Sequence, residues 1–198
     1  MAENSGLNPK TVVVIGGSTG SIDVLLQLLP ALPNPLTFAM VVVIHRKNTS
    51  DSALANLLAV RTHVPVQEVE DKDVLTAGTI YLAPADYHLL LEKDGTFTLD
   101  YSGKVHYSRP SIDVTFESVA DVYGSGVTGI LLSGANADGT AGLQAISQAG
   151  GTTIVQHPDT AQVAYMPQQA IQNVQIDHIL TAPEIIQFLN SSPDVLIR

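Results

Sequence analysis

Apolar residues in this chain gather in short runs, and longer mixed segments separate those runs. The runs Thr11–Ile15, Phe38–His45, Val64–Val69, Gly78–Ala83, Val127–Ser133, Thr152–Gln156 and His178–Leu180 read as strands. Ile22–Leu32, Asp51–Arg61, Ile112–Tyr123, Gly139–Ala149, Val163–Asn173 and Pro183–Asn190 read as helices. Val41–Ile44 and Ile130–Leu132 are apolar at successive positions, which suits strands covered on both faces. Strands alternating with helices predict an α/β fold: a doubly wound, mostly parallel, Rossmann-like sheet with right-handed crossovers. One stretch breaks the alternation. Tyr87–Glu92 and Thr96–Tyr101 flank Lys93-Asp94-Gly95, and an Asp-Gly between extended runs predicts an antiparallel hairpin added to the parallel sheet.

Length and charge narrow the function. The chain has 198 residues, enough for one generous domain, and 45% of them are hydrophobic. Residues 1–10 read as a flexible lead-in and 11–198 as a single domain; Ser191-Ser192-Pro193 marks the end of the last helix. A formal charge of -10 repels phosphate backbones and argues against a nucleic-acid partner. The absence of cysteine excludes disulfides, thiol nucleophiles and cysteine-ligated zinc, and fits a reducing compartment. The polar first ten residues lack the apolar stretch of a signal peptide, and no apolar run approaches ~20 residues. A cytoplasmic location without membrane insertion is expected.

Chemistry enters at the turn after the first strand. Val12-Val13-Val14-Ile15 runs into Gly16-Gly17-Ser18-Thr19-Gly20-Ser21, and a helical segment follows. Strand, Gly-x-Ser-x-Gly, helix is a setting that holds a serine hydroxyl out as a nucleophile. The same turn could cradle an anion at a helix N-terminus. In open α/β sheets ligands bind beyond the carboxyl ends of strands, so the residues that follow other strands matter. His45 closes the second, and Asp138 follows the strand that ends near Ser133. Serine needs a base to become nucleophilic, histidine can be that base, and a carboxylate orients the imidazole. Each also has a plain structural reading: a helix-start hydroxyl, a satisfied strand-end histidine, and an N-cap for the helix near Gly139. Convergence of the three at one sheet edge is what favours catalysis.

A nucleotide fold makes a different demand. Dinucleotide sites usually place Asp or Glu near the end of the second strand to hold ribose hydroxyls. Here that position holds His45, then Arg46 and Lys47. The arginine leaves a 2′-phosphate, and so NADP, as an alternative. No Gly-x-x-x-x-Gly-Lys-Ser/Thr is present, which disfavours a P-loop.

From about Val12 to Leu189 the chain resembles the catalytic domain of chemotaxis protein-glutamate methylesterases, the CheB family. The motifs that carry the resemblance are Gly17-Ser18-Thr19-Gly20-Ser21, His45 at a strand end, and Gly134 to Gly139 with Asp138. Tyr81-Leu82-Ala83-Pro84 with Asp86 and His88, Arg109-Pro110-Ser111-Ile112-Asp113, Thr153-Ile154-Val155-Gln156, and Met166-Pro167 with Ala170-Ile171 complete the set. The chain departs from the family at Arg46-Lys47, where Met-Pro usually follows the histidine. Ala135 and Asn136 replace Met and Gly in the aspartate turn, Ser21 replaces the last glycine of the serine turn, and Tyr165 replaces a glycine. A glycine at position 136 points to a positive φ there, which Asn tolerates better than most residues.

The resemblance implies a serine esterase acting on glutamate γ-methyl esters, with glutamine deamidation as a second activity. Ser18, His45 and Asp138 would form the triad and pass through an acyl-enzyme. Backbone N–H groups of Thr19 and Ala135 would hold the oxyanion. Arg46, Lys47, Tyr165 and Met166 are candidate substrate-recognition residues. No metal or cofactor is required. The implied partners are methylated cytoplasmic helices of chemoreceptors, and a separate response-regulator receiver domain is admitted as a second. The family's N-terminal receiver is not expected within this chain, because about ten residues precede the first strand. The altered aspartate turn sets up a rival reading, a receptor-binding module of the same fold with impaired catalysis.

Overall fold

The computed structural model describes residues 9–46 and 53–191. Lys47, most of the lead-in, the start of the second expected helix at Asp51 and the Ser192-Pro193 pair lie outside the described residues. Nine strands are described: β1 (Val12–Gly17), β2 (Ala39–Ile44), β3 (Val66–Glu68), β4 (Ile80–Leu82), β5 (His88–Leu91), β6 (Phe97–Asp100), β7 (Val127–Leu131), β8 (Thr152–Gln156) and β9 (His178–Leu180). The helices are α1 (Ser21–Leu28), α2 (Ala53–Ala59), α3 (Ile112–Tyr123), α4 (Thr140–Gln148), α5 (Tyr165–Asn173) and α6 (Ala182–Leu189).

Seven strands form one sheet in the order β3-β4-β2-β1-β7-β8-β9, and every pairing in it is parallel. The predicted hairpin forms as a two-stranded sheet of its own, β5 against β6, separate from the seven-stranded sheet. Pleating sends alternate residues to opposite faces. Val12, Val14, Val41 and Val43 point to the face covered by α3, α4 and α5, through Ile112, Phe116, Leu143, Ile146, Met166 and Ala170. Val13, Ile15, Val42 and Ile44 point to the other face, against Val24, Leu25 and Leu28 of α1, Leu58 of α2, and Ile185 and Leu189 of α6. The unbroken apolar runs in the sequence are therefore strands buried on both sides.

Strand order reverses direction at β1. From there the chain goes outward to β2 and, later, to β7 on the other side. In this topology a crevice opens beyond the carboxyl ends of the two strands where the order reverses. The Ser18 turn leaves β1 at that crevice, His45 follows β2, and the loop with Asp138 follows β7.

Candidate active site

The Ser18 turn is tied to the loop after β7. The Leu132 N–H donates to the Gly16 carbonyl at 2.8 Å and the Ser18 N–H to the Ser133 carbonyl at 2.9 Å. The buried Ser133 hydroxyl donates to the Thr19 carbonyl at 2.7 Å, and the Ser133 N–H is held by Gln156 Oε1 at 2.9 Å. Gly20 turns the chain into α1 with φ 85°, where a Cβ would also fall 2.5 Å from the Gln162 Cβ. Gly134 is needed for space: a Cβ there would sit 3.1 Å from the Ser18 Cβ and 2.5 Å from the Met166 Cε. Met166 is wholly buried beside Gly134, whereas Tyr165 at the start of α5 is 48% exposed.

The structure brings His45 and Asp138 into contact. His45 Nε2 lies 2.6 Å from Asp138 Oδ2. Asp138 is fully buried and also accepts from the Ser111 hydroxyl at 2.9 Å and from the N–H groups of Ile112 at 2.8 Å and Asp113 at 3.0 Å. Burial by itself would push this carboxyl up; the His45 bond and the backbone bonds outweigh burial and hold it below the usual carboxylate value. An ionised carboxylate accepts only, so Nε2 carries the ring proton and Nδ1 is left as the basic nitrogen.

The Nδ1 side holds a residue that the sequence did not single out. Ser108 Oγ lies 3.3 Å from it. Ser18 and His45 border a common cavity of about 380 Å³, together with Thr19, Gly20 and Gln162. Among the described residues no hydrogen bond joins the Ser18 hydroxyl to His45. On the other side of His45 lies a cleft of about 460 Å³ with Arg46, Lys104, Ser108 and Arg109 on its walls. Arg46 is engaged: its Nη2 lies 2.7 Å from Glu68 Oε2 and 3.3 Å from the Ala83 carbonyl.

The N–H groups of Thr19 and Ala135 carry no hydrogen bond among the described residues, and both residues are exposed at the crevice. Asn136 does not take a positive φ. Its side chain explains the fit of a non-glycine residue: Oδ1 accepts the Asp138 N–H at 3.2 Å, an Asx turn that holds the backbone of this loop in an ordinary conformation.

Two motifs far apart in sequence are joined behind the site. Arg109 Nη2 pairs with Asp86 Oδ1 at 2.9 Å. The Ser111 N–H donates to His88 Nδ1 at 3.1 Å, and His88 Nε2 donates to the Gly103 carbonyl at 3.0 Å. Ser111 in turn donates to Asp138, so this network fixes the acceptor for His45. Arg109-Pro110-Ser111-Ile112-Asp113 was visible as a motif, but its purpose was not. Among the described residues no group of three or more His, Asp or Glu side chains is placed to hold a metal ion.

The family model described as CheB methylesterase matches residues 13–189. The chain belongs to the CheB methylesterase family. A relative from Leptospira interrogans, named a putative protein-glutamate methylesterase/protein-glutamine glutaminase, is 39% identical over 88% of this chain and 91% of its own length. A protein-glutamate methylesterase/protein-glutamine glutaminase of Symbiobacterium thermophilum is 36% identical over 83% of this chain, which spans 45% of that relative. The crystal structure of the Thermotoga maritima CheB methylesterase catalytic domain superimposes with a TM-score of 0.86 at 35% identity, covering 90% of this chain and 96% of that one. No helix among the described residues is long and apolar enough to cross a membrane.

Proposed function

We propose that this CheB family member is a carboxylic ester hydrolase, a protein-glutamate methylesterase, with Ser18 as nucleophile, His45 as base and Asp138 as the group that orients the base. The observation that carries the reading is the 2.6 Å contact of His45 Nε2 with the buried Asp138, beside the cavity that His45 shares with Ser18. Because Nε2 is occupied, Nδ1 takes the Ser18 proton as the oxygen attacks the γ-ester carbonyl. The N–H groups of Thr19 and Ala135 are available for the tetrahedral oxyanion. Protonated His45 then gives its proton to the leaving methoxide, and methanol departs. Water deprotonated at Nδ1 hydrolyses the acyl-enzyme, and Ser18 recovers its proton. A glutamine amide passes through the same intermediate with ammonia as leaving group, so deamidation uses the same residues. The substrate is a methylated glutamate on the cytoplasmic helices of a chemoreceptor.

Methanol release from a methylated receptor fragment tests the activity. Intact-mass analysis after treatment with a fluorophosphonate tests the nucleophile. One adduct is expected, mapped to Ser18 and absent in Ser18→Ala. A protein that binds the fragment yet neither releases methanol nor takes the adduct is the binding module instead.

A further inference from the structure

We propose that Ser108 is a positioning residue for the reaction: its hydroxyl donates to His45 Nδ1 in the resting enzyme and holds the basic nitrogen at the boundary between the two cavities. The inference rests on the reading of His45 as the base. Its first support is protonation. Nε2 carries the ring proton toward the ionised Asp138, so Nδ1 has a free lone pair and the oxygen 3.3 Å away must donate to it. The second support lies behind Ser108. Asn136 Nδ2 approaches Ser108 Oγ at 3.5 Å and the His106 carbonyl at 3.4 Å. Nδ2 can only donate, so it fills a lone pair of the hydroxyl and leaves the hydroxyl proton for an acceptor. The acceptors within reach are Nδ1 at 3.3 Å and the His106 carbonyl at 3.4 Å.

The third support is the backbone. Val105 and Ser108 exchange two N–H···O bonds, of 3.1 and 2.8 Å, closing a turn whose central residues His106 and Tyr107 have φ 48° and 62°. Two consecutive side-chain-bearing residues with positive φ are unfavourable, and glycine or asparagine is the usual occupant. Strain of this kind persists where surrounding contacts over-determine it. Arg109 supplies such contacts immediately after the turn, through Asp86 and through the carbonyls of Tyr101 and Ser102 at 3.1 and 2.6 Å. The strained turn delivers Ser108 to the imidazole.

A single in-plane lone pair serves both hydroxyls in turn. Ser108 occupies Nδ1 at rest, and Ser18 displaces it when the ester arrives. Asp138 alone fixes the ring through one edge. The second bond at the opposite nitrogen removes the remaining tilt about the Nε2–Asp138 axis.

The test uses the whole chain with 15N-labelled histidine, so that the first readout needs no substrate. In Ser108→Ala the Nδ1 resonance of His45 is expected to move downfield, as a lone pair that has lost its donor does. Ser108→Thr, which keeps the hydroxyl, returns it toward the original position. Turnover of a small neutral methyl ester is expected to show kcat lowered about fivefold in Ser108→Ala with KM unchanged, the loss expected of one orienting hydrogen bond, and restored in Ser108→Thr. An Nδ1 resonance that stays in place in a folded Ser108→Ala overturns the proposal. So does an unchanged kcat, and so does fluorophosphonate labelling of Ser108 itself, which would make it a nucleophile. If Ser18 of the wild type takes no label while the Nδ1 resonance still answers to Ser108, the assignment of Ser18 fails and the Ser108 contact stands.

Discussion

Asp113 and Asp138 each accept hydrogen bonds from the start of the helix on which the other depends. Asp138, just before α4, accepts from the Ile112 and Asp113 N–H groups at the start of α3. Asp113, in the first turn of α3, accepts from the Gly139 and Gly142 N–H groups at the start of α4, at 2.8 and 2.7 Å. Both carboxylates satisfy helix N-termini that would otherwise be left unpaired. The exchange locks α3 to α4 and fixes the height of Asp138 beneath His45. It also brings two buried acids together. Asp138, with His45 as an additional donor, is held below the usual value, while burial first and the neighbouring Asp138 next push Asp113 up to about 6.

That division gives stability a defined pH dependence. A carboxyl whose folded pKa exceeds its unfolded value binds its proton more tightly when folded. The Asp113 contribution is therefore lost as pH rises from 3.8 to about 6. Asp138 has the opposite sign: its contribution is present above 3.8 and is lost as pH falls below it. Asp113→Asn keeps an oxygen for Gly139 and Gly142 and removes the charge. Urea denaturation should show the variant gaining on the wild type by on the order of 2 kcal/mol between pH 4 and pH 7. An equal difference at both pH values would show that Asp113 does not titrate in this window.

Removing Asp138 should be far more damaging. Asp138→Ala strips the acceptor from His45, Ser111, Ile112 and Asp113 at one stroke. A loss of stability of about 2–4 kcal/mol is expected, from buried donors left unpaired. Asp138→Asn preserves the shape and loses the charge that fixes the histidine tautomer, so esterase kcat should fall roughly 10³–10⁴-fold with a smaller stability change. Parallel denaturation and steady-state assays separate the two effects. Near-normal turnover in Asp138→Asn would remove the aspartate from the mechanism.

The sequence made the sheet legible because its central strands are buried on both faces. Val12–Gly17 and Ala39–Ile44 have no polar residue to obscure them. The edge strand Val66–Glu68 and its neighbour Ile80–Leu82 are short, and their predicted ends run past the observed ones. His45 and Asp138 were readable because each follows a strand. Ser108 was not, since nothing in Val105-His106-Tyr107-Ser108 advertises a turn: its positive-φ positions hold histidine and tyrosine in place of asparagine and glycine. The partners of Arg46 were equally hidden, because strand neighbours come from topology and not from spacing along the chain.

The Val105–Ser108 turn offers a test of that strain. His106→Asn with Tyr107→Gly supplies the residues that two positive φ angles favour. A gain of about 1 kcal/mol is expected, read as a Tm higher by a few degrees. Tyr107 is 97% exposed, so its removal costs no packing. His106 lies 3.4 Å from Asp113, a contact half open to solvent that contributes little. A lower Tm for the pair would mean that these side chains hold the turn, instead of enduring it.

Arg46 raises the question of whether charge near His45 draws an acidic receptor helix or serves the fold. Its guanidinium lies 2.7 Å from Glu68, and its side chain is only 14% exposed. A charge so neutralised projects a weak field, and the pair ties the end of β2 to β3. Arg46→Ala is therefore expected to destabilise the chain, and a double-mutant cycle with Glu68→Ala should return a coupling of about 1 kcal/mol. The kinetic signature follows from the same contact. Displacing the end of β2 moves His45, so kcat/KM should fall on a methylated receptor fragment and on a small neutral ester alike, with no change in salt dependence. Steering behaves differently: the loss would be confined to the receptor fragment and would shrink as salt is added. That second pattern, with an unchanged small-ester rate, would return Arg46 to the role of a recognition residue.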